Sequence, residues 1–347
     1  MGKLLGILII VSSLGLGWFW QSINHFKDSA IHIDSGSVDF SIKAGSSLTT
    51  VANQLAQKGL IDKSSLFVWM IRLNNLPASV QSGEYLIQSG MSPKEILLMF
   101  ANGKVKQYSF TIVEGWNYWQ LFKAIKNNTK IKNKLVDKSN QEVIQLLDLD
   151  VEHLEGQFLP DTYYFTAGTT DIEFLKRANV ALNEVLASEW ASKSNNIPIK
   201  TAYEALILAS IVEKETAVAS ERKRISGVFS RRLEKKMRLQ TDPTIIYGLG
   251  QTFDGNLKKK HLKDKSNPYN TYRIKGLPPT PIAMPGRDAI HAALHPASGE
   301  ELYFVAKGDG SHHFSSTNTE HNAAVRKYQI KQRKINYRST PKDKEPG

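Results

Sequence analysis

The stretch from Tyr203 to Glu215, YEALILASIVEKE, is almost entirely apolar until it reaches two glutamates. Its pattern predicts a helix with a buried body and a charged end. Glu213 and Glu215 lie two positions apart, about 200° around a helix axis, so they cannot face the same cleft. A glutamate held against buried apolar surface keeps its proton to higher pH than a solvated one. Such a group can act as a general acid at neutral pH, the situation illustrated by lysozyme's acid. Helices also commonly end in solvated Glu and Lys, and Glu213-Lys214-Glu215 taken alone reads that way.

The following residues supply polar and aromatic groups. Ser220 is expected to cap a basic helix running from Glu221 to about Lys236. In MRLQTDPTIIYG, Asp242 as N-cap with Pro243 behind it makes a helix start. That start places Gln240, Thr241 and Tyr247 near a helix N-terminus, where backbone donors cluster. Tyr269-Asn270-Thr271-Tyr272 and the proline-rich Gly276–Pro281 form rigid polar-aromatic loops suited to an extended sugar chain. Leu302–Val305 and His312–Ser315 flank Gly308-Asp309-Gly310 and read as a hairpin. Glu320-His321-Asn322 opens the last helix.

His291 and His295 have the i, i+4 spacing of a helical zinc site, but Ala292 stands where a zincin carries its glutamate base. No metal and no cofactor is expected. His312, His313 and His321 are read as surface, packing or sugar-contact groups.

The elements that must position these residues begin with an apolar segment. Leu4 to Trp20 carries no charge, follows Lys3 and ends in Trp18-Phe19-Trp20. It is expected to be an uncleaved membrane anchor, the tail at 1–3 staying cytoplasmic and the bulk being exported. Residues 21–37 are expected to be a linker. Residues 38–110 read as a small α+β unit: a strand at Val38–Ile42, helices started by Ser47 or Ser46 and by Ser64, a strand at Gly83–Ile87, a helix with a Ser92/Glu95 capping box, and a strand at Tyr108–Val113. Residues 111–330 make a larger mixed α+β domain, interrupted at Leu154–Phe165 by an aromatic, Gly- and Pro-containing loop that cannot be a regular helix. That loop suits either sugar stacking or plugging the core, and its composition favours the plug. Residues 331–347 read as a basic flexible tail.

With 347 residues, two domains are expected. Lys and Arg total 45 against 33 Asp and Glu, a net charge of +12 that suits a polyanionic neighbour. An exported domain seldom meets DNA, and the basic residues are dispersed, so nucleic acid is not expected as a partner. The absence of cysteine excludes disulfides, thiolate nucleophiles and Cys-based metal sites.

Six stretches together resemble the YceG-like family of endolytic murein transglycosylases: EGQFLPDTYYF (155–165), ASIVEKETAVASER (209–222), MRLQTDPTIIYGLG (237–250), YNTY (269–272), GLPPTPIAMPG (276–286) and TNTEHN (317–322). The residues opening the 38–110 unit resemble, more weakly, a LysM-type glycan-binding module. The family resemblance implies a single-pass protein of the bacterial cytoplasmic (inner) membrane, with a LysM-like subdomain and a catalytic domain in the periplasm or facing the wall. It implies cleavage of the MurNAc–GlcNAc bond inside nascent glycan strands, leaving 1,6-anhydroMurNAc ends and terminating elongation. It makes Glu215 the catalytic residue, with Glu213 in reserve. Gln240, Thr241, Asp242, Tyr247, Tyr269, Asn270, Thr271, Tyr272, Asn318, Glu320 and His321 are the expected substrate-binding residues. The implied partners are glycan strands, the membrane, and peptidoglycan synthases or division proteins. Thr280 and Met284 depart from the family pattern in a loop placed to line the cleft. Two other readings remain: a non-catalytic glycan-binding or division scaffold, and a muramidase using Asp161 or Asp242 as a second carboxylate about 5–10 Å from Glu215.

Overall fold

The computed structural model describes residues 2–331; Met1 and the tail from 332 lie outside the described residues. The chain divides into two units, Met1–Tyr108 with Tyr164–Thr169, and Ser109–Tyr163 with Thr170–Gly347.

The first unit begins with α1 (Gly2–Asp28), which is long and apolar enough to cross a membrane. The expected anchor lies inside it, but the helix continues where a linker was expected. The reason is local: Ile23 and Phe26, one helical turn apart, are buried in the core of this unit. Residues 29–36 are also tied down, since the Ile31 N–H donates to Met91 O at 2.8 Å and the Gly90 N–H to Ile31 O at 2.9 Å.

Then follow β1 (Ser37–Ile42), α2 (Leu48–Gln57), α3 (Ser64–Leu73), β2 (Gly83–Gln88) and α4 (Pro93–Ala101). Ser47 caps α2, and Ser92 with Glu95 closes the expected capping box on α4. The strands β1 and β2 are antiparallel with Phe40 opposite Tyr85. Both rings pack on Phe100, at 5.5 Å and 4.7 Å between centroids, and α1 lies against α3 and α4. The division between the units falls within β3 (Gln107–Thr111) and β4 (Thr162–Thr166). The aromatic loop at 154–165 therefore ends as a strand; Phe158 and Leu159 are buried, so it plugs the core.

The second unit contains α5 (Tyr118–Lys126), α6 (Asn140–Leu147), α7 (Asp171–Ala191), α8 (Ala202–Glu215), α9 (Ala219–Glu234), α10 (Asp242–Leu249), α11 (Lys259–Lys263) and α12 (Arg287–Leu294). The hairpin of β5 (Tyr303–Ala306) and β6 (His312–Ser315), then α13 (Asn318–Val325), complete it. Every residue of α8 from Ala205 to Val212 is buried, because α7, α9, α10 and α12 surround the helix. Buried alanines on both helices, Ala205 and Ala209 on α8 and Ala289, Ala292 and Ala293 on α12, let α12 lie close along α8.

Two helix starts differ from expectation. α9 begins at Ala219, one residue before Ser220, where the Thr216 hydroxyl accepts the Val218 N–H at 3.0 Å and turns the chain early. α10 is capped by Thr241, and Asp242 is its first residue.

Candidate active site

α8 is a core helix that ends abruptly. Thr201 caps its start, and Thr216 leaves the helix in an extended conformation. The two terminal glutamates consequently point into different surroundings. Glu213, with a side chain 5% exposed, accepts the Gly286 N–H at 3.0 Å and sits 3.5 Å from Arg222 Nη2. Arg222 also reaches Glu114 at 3.4 Å and Asp288 at 3.2 Å. Glu213 and Arg222 are thus the buried members of a charge cluster joining α8, α9 and the start of α12, whose other two carboxylates are exposed. Burial and the Glu114 charge raise its pKa, while the Gly286 amide and Arg222 oppose the rise.

On the other side, Glu215 accepts a hydrogen bond from the Thr241 hydroxyl. Burial pushes its pKa up to about 7. The Thr241 hydroxyl and Arg232 pull it down, while the Asp242 charge adds to the rise. A carboxyl poised near neutral pH can both give and take a proton.

Thr241 is fixed by other threonines. Its N–H donates to Thr271 Oγ1 at 3.1 Å, and its carbonyl accepts from Thr244 Oγ1 at 2.8 Å. Because its own hydroxyl is turned to Glu215, it makes no side-chain cap to α10. Gln240 has a left-handed backbone, φ 54°, which costs energy in a residue with a Cβ. Two contacts hold it there: its N–H donates to Thr271 O at 3.2 Å, and its side-chain oxygen lies 3.4 Å from Arg232 Nη1. Arg232 also donates to Leu302 O at 2.6 Å and Leu239 O at 2.8 Å, tying the hairpin to this segment. Gln240 and Asp242 remain exposed, and the Tyr272 hydroxyl donates to Asp242 at 2.7 Å.

The expected site residues therefore separate. Glu215, Gln240, Thr241, Asp242 and Tyr272 come together. Tyr247 and Tyr269 form a neighbouring aromatic group with Trp119, at 4.9 Å between the two tyrosines and 5.3 Å between Tyr247 and Trp119. Asn270 is fully buried and spends its amide on the carbonyls of His261 and Asp264, so it holds a loop and has no donor left for sugar. Thr271, also buried, supports Thr241. Glu320 accepts from the Ser316 and Thr317 N–H groups and closes the start of α13, a capping role. His321 stacks on Tyr303 at 5.2 Å, and Asn318 is exposed at the first position of α13. Thr280 bonds the Tyr269 hydroxyl at 2.9 Å, while Met284 is buried and its backbone pairs with Gly115 and Trp116.

Of the two second carboxylates considered, only Asp242 acts on Glu215; Asp161 bonds the Thr162 N–H at 2.6 Å in the β4 turn. Glu189 joins His291 and His295, the three offering ligand atoms within 4.8 Å of one another. However, the two imidazole rings stack at 4.1 Å, and each nitrogen of His295 already faces a backbone carbonyl, His291 O or Ser192 O. Glu189 is paired with Arg287 at 3.0 Å and hydrogen-bonded to His291 Nδ1 at 2.7 Å. The arrangement is a closed polar cluster.

Sequence reasoning missed Arg232 and Arg222, whose roles depend on contacts made far along the chain, and Glu155. Glu155 is 1% exposed, accepts the Tyr118 N–H at 3.2 Å and faces the Tyr247 hydroxyl. Its sequence signal is an acid before glycine at the start of the 155–165 stretch.

The model of the YceG-like family matches residues 40–327. The chain belongs to the YceG-like family. It is 32% identical over 311 residues to the endolytic murein transglycosylase of Bacillus subtilis strain 168, covering 84% of this chain and 85% of that protein. It is 27% identical over 357 residues to the endolytic murein transglycosylase of Streptococcus pneumoniae strain D39, spanning 92% of this chain but 64% of that longer protein. A YceG-like protein from Listeria monocytogenes of solved structure aligns with TM-score 0.54 and 30% identity over 84% of this chain and 99% of its own.

Proposed function

We propose that this YceG-like protein is an endolytic murein transglycosylase that cuts within peptidoglycan strands, with Glu215 as its proton carrier. The observation that carries the reading is the Glu215 carboxyl: half-buried, donated to by Thr241, and held near neutral pH in a chain related to enzymes of that name. Protonated Glu215 gives its proton to the glycosidic oxygen as the C1–O bond breaks, and the departing sugar leaves with a free hydroxyl. The C6 hydroxyl of the MurNAc ring then bonds to C1 and returns a proton to Glu215. The ring closes as 1,6-anhydroMurNAc, the carboxyl regains its starting state, and no water is consumed. One carboxyl suffices for both transfers, whereas a hydrolase commonly needs two. Gln240, Asp242 and Tyr272 would meet the sugar from the exposed side of Glu215.

The position and apolarity of α1 support a single membrane anchor, with Lys3 on the cytoplasmic side and both units outside. The order strand, two helices, strand, with antiparallel outer strands, supports a LysM-like reading of the first unit.

Asp242 favours one second reading, a muramidase in which that exposed carboxylate activates water. Mass spectrometry of products from uncrosslinked glycan strands decides between them. Internal fragments ending in 1,6-anhydroMurNAc support the transglycosylase, and reducing ends support the hydrolase.

A further inference from the structure

We propose that Glu155 is a positioning residue that fixes Trp119 and Tyr247 as a stacking shelf for an N-acetylhexosamine ring of the glycan strand; this rests on the glycan substrate proposed above. The first N–H groups of a helix have no partner within it. At the start of α5 the Tyr118 N–H points at both oxygens of Glu155, at 3.2 and 3.3 Å. From α10 the Tyr247 hydroxyl faces the same carboxyl. One buried group thus holds the start of α5 and a residue of α10. The residue next to Tyr118 is Trp119, whose ring stacks on Tyr247 with centroids 5.3 Å apart and planes at 26°.

The loop carrying Glu155 is built for close approach. Gly156 has φ +77°, and a Cβ there would lie 2.6 Å from Pro281 Cβ. Tyr269 meets the Tyr247 ring edge-on at 4.9 Å, and its own hydroxyl is engaged by Thr280. Tyr247 is therefore restrained at its hydroxyl and at its ring. Trp119 and Tyr247 remain half-buried, so ring surface stays open to solvent. Sugar rings present apolar C–H faces that stack on such surfaces. Without Glu155 the phenol would have lost its buried acceptor and α5 its external cap, and the shelf would lose its fixed orientation.

The test uses the full-length protein in detergent carrying Glu215→Gln, which leaves strands uncut. Affinity for uncrosslinked glycan strands is measured by calorimetry after adding Glu155→Ala, Tyr247→Phe, both together, or Trp119→Ala. Each single change is expected to weaken binding about 5- to 20-fold, and the double variant no further than the weaker-binding single, because both act through one contact. Tyr247→Phe removes a single oxygen, so it reads the contact even where Glu155→Ala melts early. Unchanged affinity in Trp119→Ala or Tyr247→Phe, or losses that add in the double variant, would overturn the proposal. Binding is read apart from product chemistry: strands held through the shelf by a wild-type enzyme that cuts nothing would sustain the shelf and remove the reaction.

Discussion

The Thr241 hydroxyl donates to the Glu215 carboxyl, joining the last residue of α8 to the cap of α10. That bond favours the ionised carboxylate, while the neighbouring Asp242 charge disfavours it. The two influences have opposite signs, and so do the changes that remove them. Activity that needs protonated Glu215 falls as pH rises through about 7. Thr241→Val should move this alkaline limb to higher pH, and Asp242→Asn to lower pH. Rate profiles on glycan strands between pH 5 and 9 check both; limbs moving together in one direction would contradict the account.

The same burial has a cost in stability. Glu215 and Glu155 hold their protons to about 7 and about 8 when folded, against a reference value of 4.5. A raised folded pKa stabilises fully below the unfolded value, and that contribution is lost as pH rises through the folded one. Wild-type stability should therefore decline between about pH 4.5 and 8 through these groups. Glu215→Gln removes one of them, so it should melt a few degrees above wild type at pH 8, with the gap narrowing toward pH 5. Calorimetric melting at the two pH values reads the difference, and a gap that widens at low pH would refute it.

Glu213 is bound up in structure. Removing the buried carboxylate of the charge cluster leaves the buried Arg222 incompletely paired. Glu213→Gln should cost about 1–3 kcal/mol of stability, since Arg222 keeps Glu114 and Asp288 as partners. Turnover at a temperature where the variant is folded should fall far less than in Glu215→Gln. Denaturant melts and initial rates measured side by side check this; loss of turnover equal to that of Glu215→Gln would return Glu213 to candidacy.

The legible parts of this chain were those set by local pattern. The Ser92/Glu95 box, the buried body of α8 and the divergence of Glu213 from Glu215 follow from spacing alone. The β5–β6 hairpin likewise follows from two short runs around Gly308-Asp309-Gly310. The remainder required distant partners. Asp242 looked like a helix cap until Thr241 took that place, and Thr241 sits there because Thr271 and Thr244 hold its backbone. Asn270 looked like a sugar contact, yet its amide is consumed by carbonyls within its own loop. Glu155 became visible only when α5 and α10 brought two donors to it.

α1 carries a further consequence. Ile23 is 0% and Phe26 8% exposed, so the end of the apolar helix is part of the first unit's core. Ile23→Ala or Phe26→Ala in the full chain should destabilise that unit by about 2–5 kcal/mol, whereas Leu8→Ala, on the exposed stretch, should leave it unchanged. Protease susceptibility of the first unit in detergent reports the difference, and equal resistance in all three variants would mean that residues 21–28 are a spacer.

The central claim is that Glu215 alone carries the proton through bond cleavage and ring closure. Its most direct test is mass spectrometry of uncrosslinked glycan strands incubated with the wild-type protein and, in parallel, with Glu215→Gln. The account predicts internal fragments with 1,6-anhydroMurNAc ends, one water lighter than reducing ends, from the wild type and none from the variant. Anhydro ends persisting in Glu215→Gln, or reducing ends from the wild type, would contradict it.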